Sequence, residues 1–144
     1  MILWRISNYA DLAGKGGLIA PGRWHRQGLP IVYCCDHPST ALLEILVHMD
    51  LDELPTSFQL LKIRAPDDIG LEASEADYAA LDDIVLTREK GSNWLERRSS
   101  CLLMVPSIVL TEASNVLINP QHPDAAKLVI EKAVRYPFDS RLLR

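Results

Sequence analysis

Pro30-Ile-Val-Tyr-Cys-Cys35-Asp-His-Pro38-Ser-Thr-Ala-Leu-Leu-Glu44-Ile-Leu-Val-His-Met49 is the stretch that decides the fold. From Pro30 to Cys35 it is β-branched, aromatic and apolar on both alternating faces, the pattern of a strand covered on both sides, so a central strand is expected. Asp36 is placed to cap a following helix, and Pro38 falls in its first turn, where a missing N–H costs little. Leu42, Ile45, Leu46 and Met49 then recur at i, i+3, i+4 and i+7, an amphipathic helical stripe.

Outward from this unit, Ile2 to Ile6 reads as a short strand and Asp11 to Gly22, with four glycines and a proline, as a loop. Phe58 to Ile63 reads as another strand, and Glu72 to Leu81 and Gly91 to Arg98 as shorter helices. Leu102 to Val105, Ile108 to Leu110 and Lys127 to Pro137 supply further strand-like runs. Asn115 to Pro123 reads as an irregular polar connection. The regular helical crossovers of a doubly wound parallel sheet are missing, so the expected class is α+β: a small split, mixed or antiparallel sheet with flanking helices.

The chain has 144 residues, 48% hydrophobic and 24% charged. That suits one globular domain over 1–144 and excludes a disordered or collagenous chain. The longest apolar runs are far short of the roughly 20 residues that span a bilayer, and the N-terminus lacks the pattern of a signal peptide. Cys34, Cys35 and Cys101 suit buried thiols in a reducing compartment, so a cytoplasmic location is expected. A formal charge of -4 offers no basic field for nucleic acid.

Histidine and cysteine spacings match no metal motif, and neither a phosphate-binding P-loop nor a nucleophile elbow is present. Gly14-Lys15-Gly16-Gly17 reads as a turn rather than a phosphate cradle. Glu44 is more informative. It shares one side of a nearly all-apolar helix with His48, and a carboxylate so placed is either paired with a core arginine or functional. Arg23 and Trp24 follow Pro21-Gly22. Arginine's fork suits phosphate and an aromatic ring can stack on a base, yet both residues also have ordinary structural readings.

Taken in order, Gly22-Arg23-Trp24, Pro30-Ile-Val-Tyr33, Ala41-Leu-Leu-Glu44, Val105-Pro-Ser107 and Asn115-Val-Leu-Ile-Asn119-Pro-x-His122-Pro resemble the RES domain family, from about Ile2 to Phe138. The resemblance implies a fold related to ADP-ribosyltransferases and a toxin of a bacterial toxin–antitoxin pair that depletes NAD. It carries the family's arginine onto Arg23, its tyrosine onto Tyr33, its glutamate onto Glu44 and its serine onto Ser107, with Arg5 as a second arginine. His25-Arg26-Gln27 departs from the asparagine and prolines of many relatives.

Under this resemblance NAD is the substrate and no cofactor is required. Glu44 and Arg23 are the expected catalytic residues, and Arg5, Tyr33 and Ser107 the expected substrate-binding ones. Water, phosphate or a protein side chain would serve as acceptor, making the chain an NAD glycohydrolase, an NAD phosphorylase or an ADP-ribosyltransferase. A different reading is an inactive regulatory binding module with Glu44 and Arg23 paired in the core. The expected partner is an Xre-like antitoxin. Self-association is also expected, with no stripe marking its surface.

Overall fold

The first and central strands form as expected, as β1 (Ile2–Ile6) and β2 (Val32–Cys35). They are joined by β3 (Ser57–Arg64), β4 (Leu71–Ala73), β5 (Leu102–Pro106), β6 (Ser114–Ile118) and β7 (Val129–Pro137). In the computed structural model, which describes residues 1–143, these make a seven-stranded sheet in the order β4-β5-β6-β2-β1-β3-β7. Pairing is antiparallel except between β4 and β5. The helices are α1 (Gly16–Ile19), α2 (Pro38–Val47), α3 (Tyr78–Asp82) and α4 (Ile84–Arg97). The architecture is α+β. Among the described residues no helix is long and apolar enough to cross a membrane.

Alternate residues of the inner strands feed two cores, because successive side chains point to opposite faces of a sheet. Val32, Cys34, Leu102, Val116 and Ile118 join Leu3, Leu61 and Ile63 on one face. Leu103, Val105 and Leu117 join Trp24, Ile31, Leu81, Trp94 and Leu95 on the other, under α3 and α4. This two-sided burial is why Pro30 to Cys35 carries no polar face. Cys34, Cys35 and Cys101 are buried free thiols.

The split in the sheet lies between β1 and β2, which share one paired position, Trp4 opposite Cys35. On their outer sides the same strands pair over five positions (β1 with β3) and four (β2 with β6). At the split, Arg5 donates through Nη1 to the Tyr33 carbonyl oxygen at 2.8 Å. The seam therefore opens beside a guanidinium, and α2 packs across β1 and β2 next to it.

Several local expectations are corrected. The cap of α2 is His37, whose Nδ1 accepts from the Ser39 N–H at 3.1 Å, while Asp36 accepts from the Ser114 N–H at 3.3 Å. Asn115 to Ile118, expected as part of a polar connection, belongs to the inner strand β6: three apolar residues suffice when the neighbouring strands bury both faces. Within Glu72 to Leu81 the chain first pairs with β5 as β4, and only its end is helical. Helix α4 begins seven residues before Gly91, at Ile84, where the Asp83 side chain accepts from the Leu86 N–H. Ile108 to Leu110 is a bend, not a strand.

Candidate active site

A pocket of about 470 Å³ opens at the seam, with Trp4, Arg5 and Ile6 from β1, Gly22 to Trp24 from the loop before β2, and Tyr33 to Cys35 from β2. Helix α2 contributes Ala41, Glu44, Ile45 and His48, an i, i+3, i+4, i+7 face of its own. The stripe expected to seek the core is only partly buried, and Leu43 and Val47 are 42% and 57% exposed.

Glu44 is the only carboxylate among the residues lining the pocket. Its Oε1 accepts from Ser107 Oγ at 2.6 Å and from Asn115 Nδ2 at 3.0 Å, and no other hydrogen bond to the carboxylate is present among the described residues, so Oε2 is without a protein partner among them. Both donors are themselves oriented. Ser107 Oγ accepts from the Val109 N–H at 3.2 Å, and Asn115 Oδ1 accepts from the Cys35 thiol at 3.3 Å. Burial, reinforced by the Glu44 charge, pushes the Cys35 thiol up to about 12, so it remains an S–H donor. Ser107 is fully buried behind Glu44. Its hydroxyl thus touches the carboxylate rather than the open pocket, unlike the direct substrate contact expected for it.

Arg5, Arg23 and Arg88 all line the pocket, and among the described residues none has a carboxylate within ion-pair distance. Each is anchored by one backbone carbonyl: Arg5 on Tyr33, Arg23 through Nη1 on Leu81 at 2.6 Å, and Arg88 through Nε on Gly22 at 2.8 Å. A guanidinium held by one N–H keeps the rest of its fork for an anion. The core ion pair considered for Glu44 and Arg23 is not formed.

The loop carrying Arg23 is fastened to β2 by Tyr33 and to α4. Trp24 N–H donates to the Tyr33 hydroxyl at 3.1 Å, and that hydroxyl lies 2.7 Å from His25 Nδ1. His25 Nε2 lies 3.0 Å from the Ala20 carbonyl oxygen, which can only accept, so Nε2 carries the proton and Nδ1 accepts from Tyr33. Burial pushes the Tyr33 phenol up to about 12, keeping it a donor. Gly22 is required here, because a Cβ would sit 2.5 Å from the Tyr33 hydroxyl oxygen. The departure at His25-Arg26-Gln27 is thus built into the site: His25 locks Tyr33, and Arg26 bonds to Ser92 and Glu96. Trp24 is 2% exposed and belongs to the core.

His25 is 3% exposed, and desolvation lowers its pKa below the ordinary 6.5. The unfolded chain then binds more protons than the folded one as pH falls through about 6.5 toward the lowered value, so folding loses stability in that window. Thermal unfolding between pH 7.5 and 5 should show this fall. His25→Gln should flatten it, and an unchanged slope in that variant would assign the effect elsewhere.

Arg88 and Asn115 escaped the reading of the sequence. Arg88 lies on a helical turn without an apolar stripe, and Asn115 in a strand taken for a connection.

The fold is shared with a solved structure: a chain of the M. tuberculosis MbcT–MbcA toxin–antitoxin complex matches with a TM-score of 0.73, covering 94% of this chain and 84% of that one at 16% identity. Residues 2–139 match the RES domain, and the chain belongs to the RES domain family. "Toxin Res" of Pseudomonas putida is 44% identical over 99% of both chains. The "Prs ADP-ribosylating toxin" of a Sphingobium species is 35% identical over 98% of this chain and 96% of its own. "Toxin Res" of Photorhabdus laumondii is 37% identical over 100% and 98%. The chain is a toxin of this family.

Proposed function

We propose that this toxin breaks the nicotinamide–ribose bond of NAD and is restrained by a cognate antitoxin. The observation that carries the reading is the pocket itself, where arginines without carboxylate partners converge with one carboxylate oriented by two donors. That pairing suits a ligand that carries a diphosphate and, one ribose away, a positive charge.

Cleavage expels neutral nicotinamide from a pyridinium, so the leaving group needs no proton. Charge instead develops on the ribose as an oxocarbenium ion. Oε2 of Glu44 supplies the fixed negative charge, and Ser107 and Asn115 position it by occupying Oε1. Arg23 holds the diphosphate, with Arg5 at the seam as a second candidate, and the Tyr33 ring, its hydroxyl already spent, forms a wall for the nicotinamide. Attack at the ribose carbon by water gives ADP-ribose and a proton; attack by phosphate gives ADP-ribose 1″-phosphate. A protein acceptor is the second reading, favoured by the likeness to the ADP-ribosylating toxin of Sphingobium.

Expression in a bacterial host tests the toxin. Cellular NAD should fall and growth stop, and co-expression of the product of the adjacent gene, expected to be Xre-like, should restore both and co-purify. Normal growth with undiminished NAD, from folded protein expressed alone, would overturn the reading.

A further inference from the structure

Arg88 has no assigned role, yet it reaches the same pocket as Arg23 from a different element. It lies on α4, spends Nε on the Gly22 carbonyl, and keeps both terminal nitrogens free of protein partners among the described residues. Arg23 follows Gly22 directly, so the bond that anchors Arg88 also fixes the backbone beside Arg23. Thr87 Oγ1 adds a second tie, donating to the Arg23 carbonyl oxygen at 2.6 Å. Arg23, Arg88 and the Tyr33 side chain line one pocket. Acidic residues outnumber basic ones, 19 to 15, and surface arginines such as Arg26 and Arg97 do find carboxylates. Two half-buried arginines that line one pocket, each anchored by a backbone carbonyl and neither paired with a carboxylate among the described residues, are placed to receive an anion.

We infer that Arg88 is a substrate-binding residue that, with Arg23, forms a two-arginine clamp on the diphosphate and selects dinucleotides over ligands lacking phosphate. The inference rests on the NAD reading and deepens it. Arg23 would approach one phosphate from the loop and Arg88 the other from the helix, each with N–H groups left over after its backbone anchor.

The test is binding of ADP-ribose and of nicotinamide to the wild-type protein, Arg88→Gln and Arg88→Lys, by calorimetry with melting temperatures measured in parallel. For Arg88→Gln, ADP-ribose should bind at least tenfold more weakly while nicotinamide, which carries no phosphate, binds unchanged. Arg88→Lys, which keeps the charge and loses the fork, should fall between. Equal ADP-ribose binding by wild type and Arg88→Gln would overturn the clamp and leave the NAD reading standing. Equal weakening for both ligands would also overturn it, by showing that Arg88 only holds the loop. Failure of the wild-type protein to bind ADP-ribose would overturn the NAD reading and the clamp with it.

Discussion

Replacing Glu44 by glutamine is expected to lower NAD turnover by about 10²–10³, roughly 2.7–4 kcal/mol of transition-state stabilisation, with the fold retained. The amide oxygen of glutamine can still accept from Ser107 and Asn115, as Oε1 does now. The substituted position is the one without a protein partner among the described residues, where the charge opposes the developing oxocarbenium ion. Binding of NAD should change much less than turnover, because the interaction strengthens mainly in the transition state. Were Glu44 the partner of a buried arginine, the same change would strand that cation and cost roughly 3–5 kcal/mol of stability. No such pair is formed, so the melting temperature should move little. Steady-state kinetics with calorimetric unfolding checks both halves, and full activity in Glu44→Gln would refute the role.

The largest effect on stability is expected from Gly91→Ala. A Cβ at Gly91 would lie 1.8 Å from the Trp24 carbonyl oxygen and 2.7 Å from its carbon, and backbone cannot rotate away as a side chain can. Helix α4 and the arginine loop would have to separate, straining three bonds: Thr87 to the Arg23 carbonyl, Arg88 to the Gly22 carbonyl, and the Arg26 N–H to Ser92. Overpacking of this kind costs about 1–3 kcal/mol or more. At this chain length each kcal/mol lowers the melting temperature by roughly 2–4 °C. Gly16→Ala is the control, since a Cβ there meets nothing within 4 Å, and equal melting of the two variants would contradict the close approach.

These two positions show what a sequence makes legible and what it hides. Glu44 stood out because a carboxylate on an apolar helix breaks a pattern, and the β2–α2 unit around it obeys periodicity throughout. Gly91 and Arg88 break no visible pattern. Their helix buries Thr87, Gly91 and Ser92, small and polar residues chosen for contact with a loop backbone, and hydropathy registers no stripe in them. Asn115 was hidden for a related reason. It is the second residue of a strand whose apolar part is only Val116 to Ile118, and its value lies in a hydrogen bond to a residue 71 positions away. Ser107 was found through resemblance, but its burial and its hydrogen bond to Glu44 are matters of three dimensions alone.

Cleavage of NAD at the nicotinamide–ribose bond in the seam pocket is read out by nicotinamide release from NAD with purified, folded, antitoxin-free protein. The assay is run with and without phosphate and with a cell extract as a source of protein acceptors. Stoichiometric release of nicotinamide from NAD is expected in at least one of these conditions, slowed by about 10²–10³ in Glu44→Gln, and the condition that supports release identifies the acceptor. No nicotinamide in any of the three would contradict cleavage in this pocket.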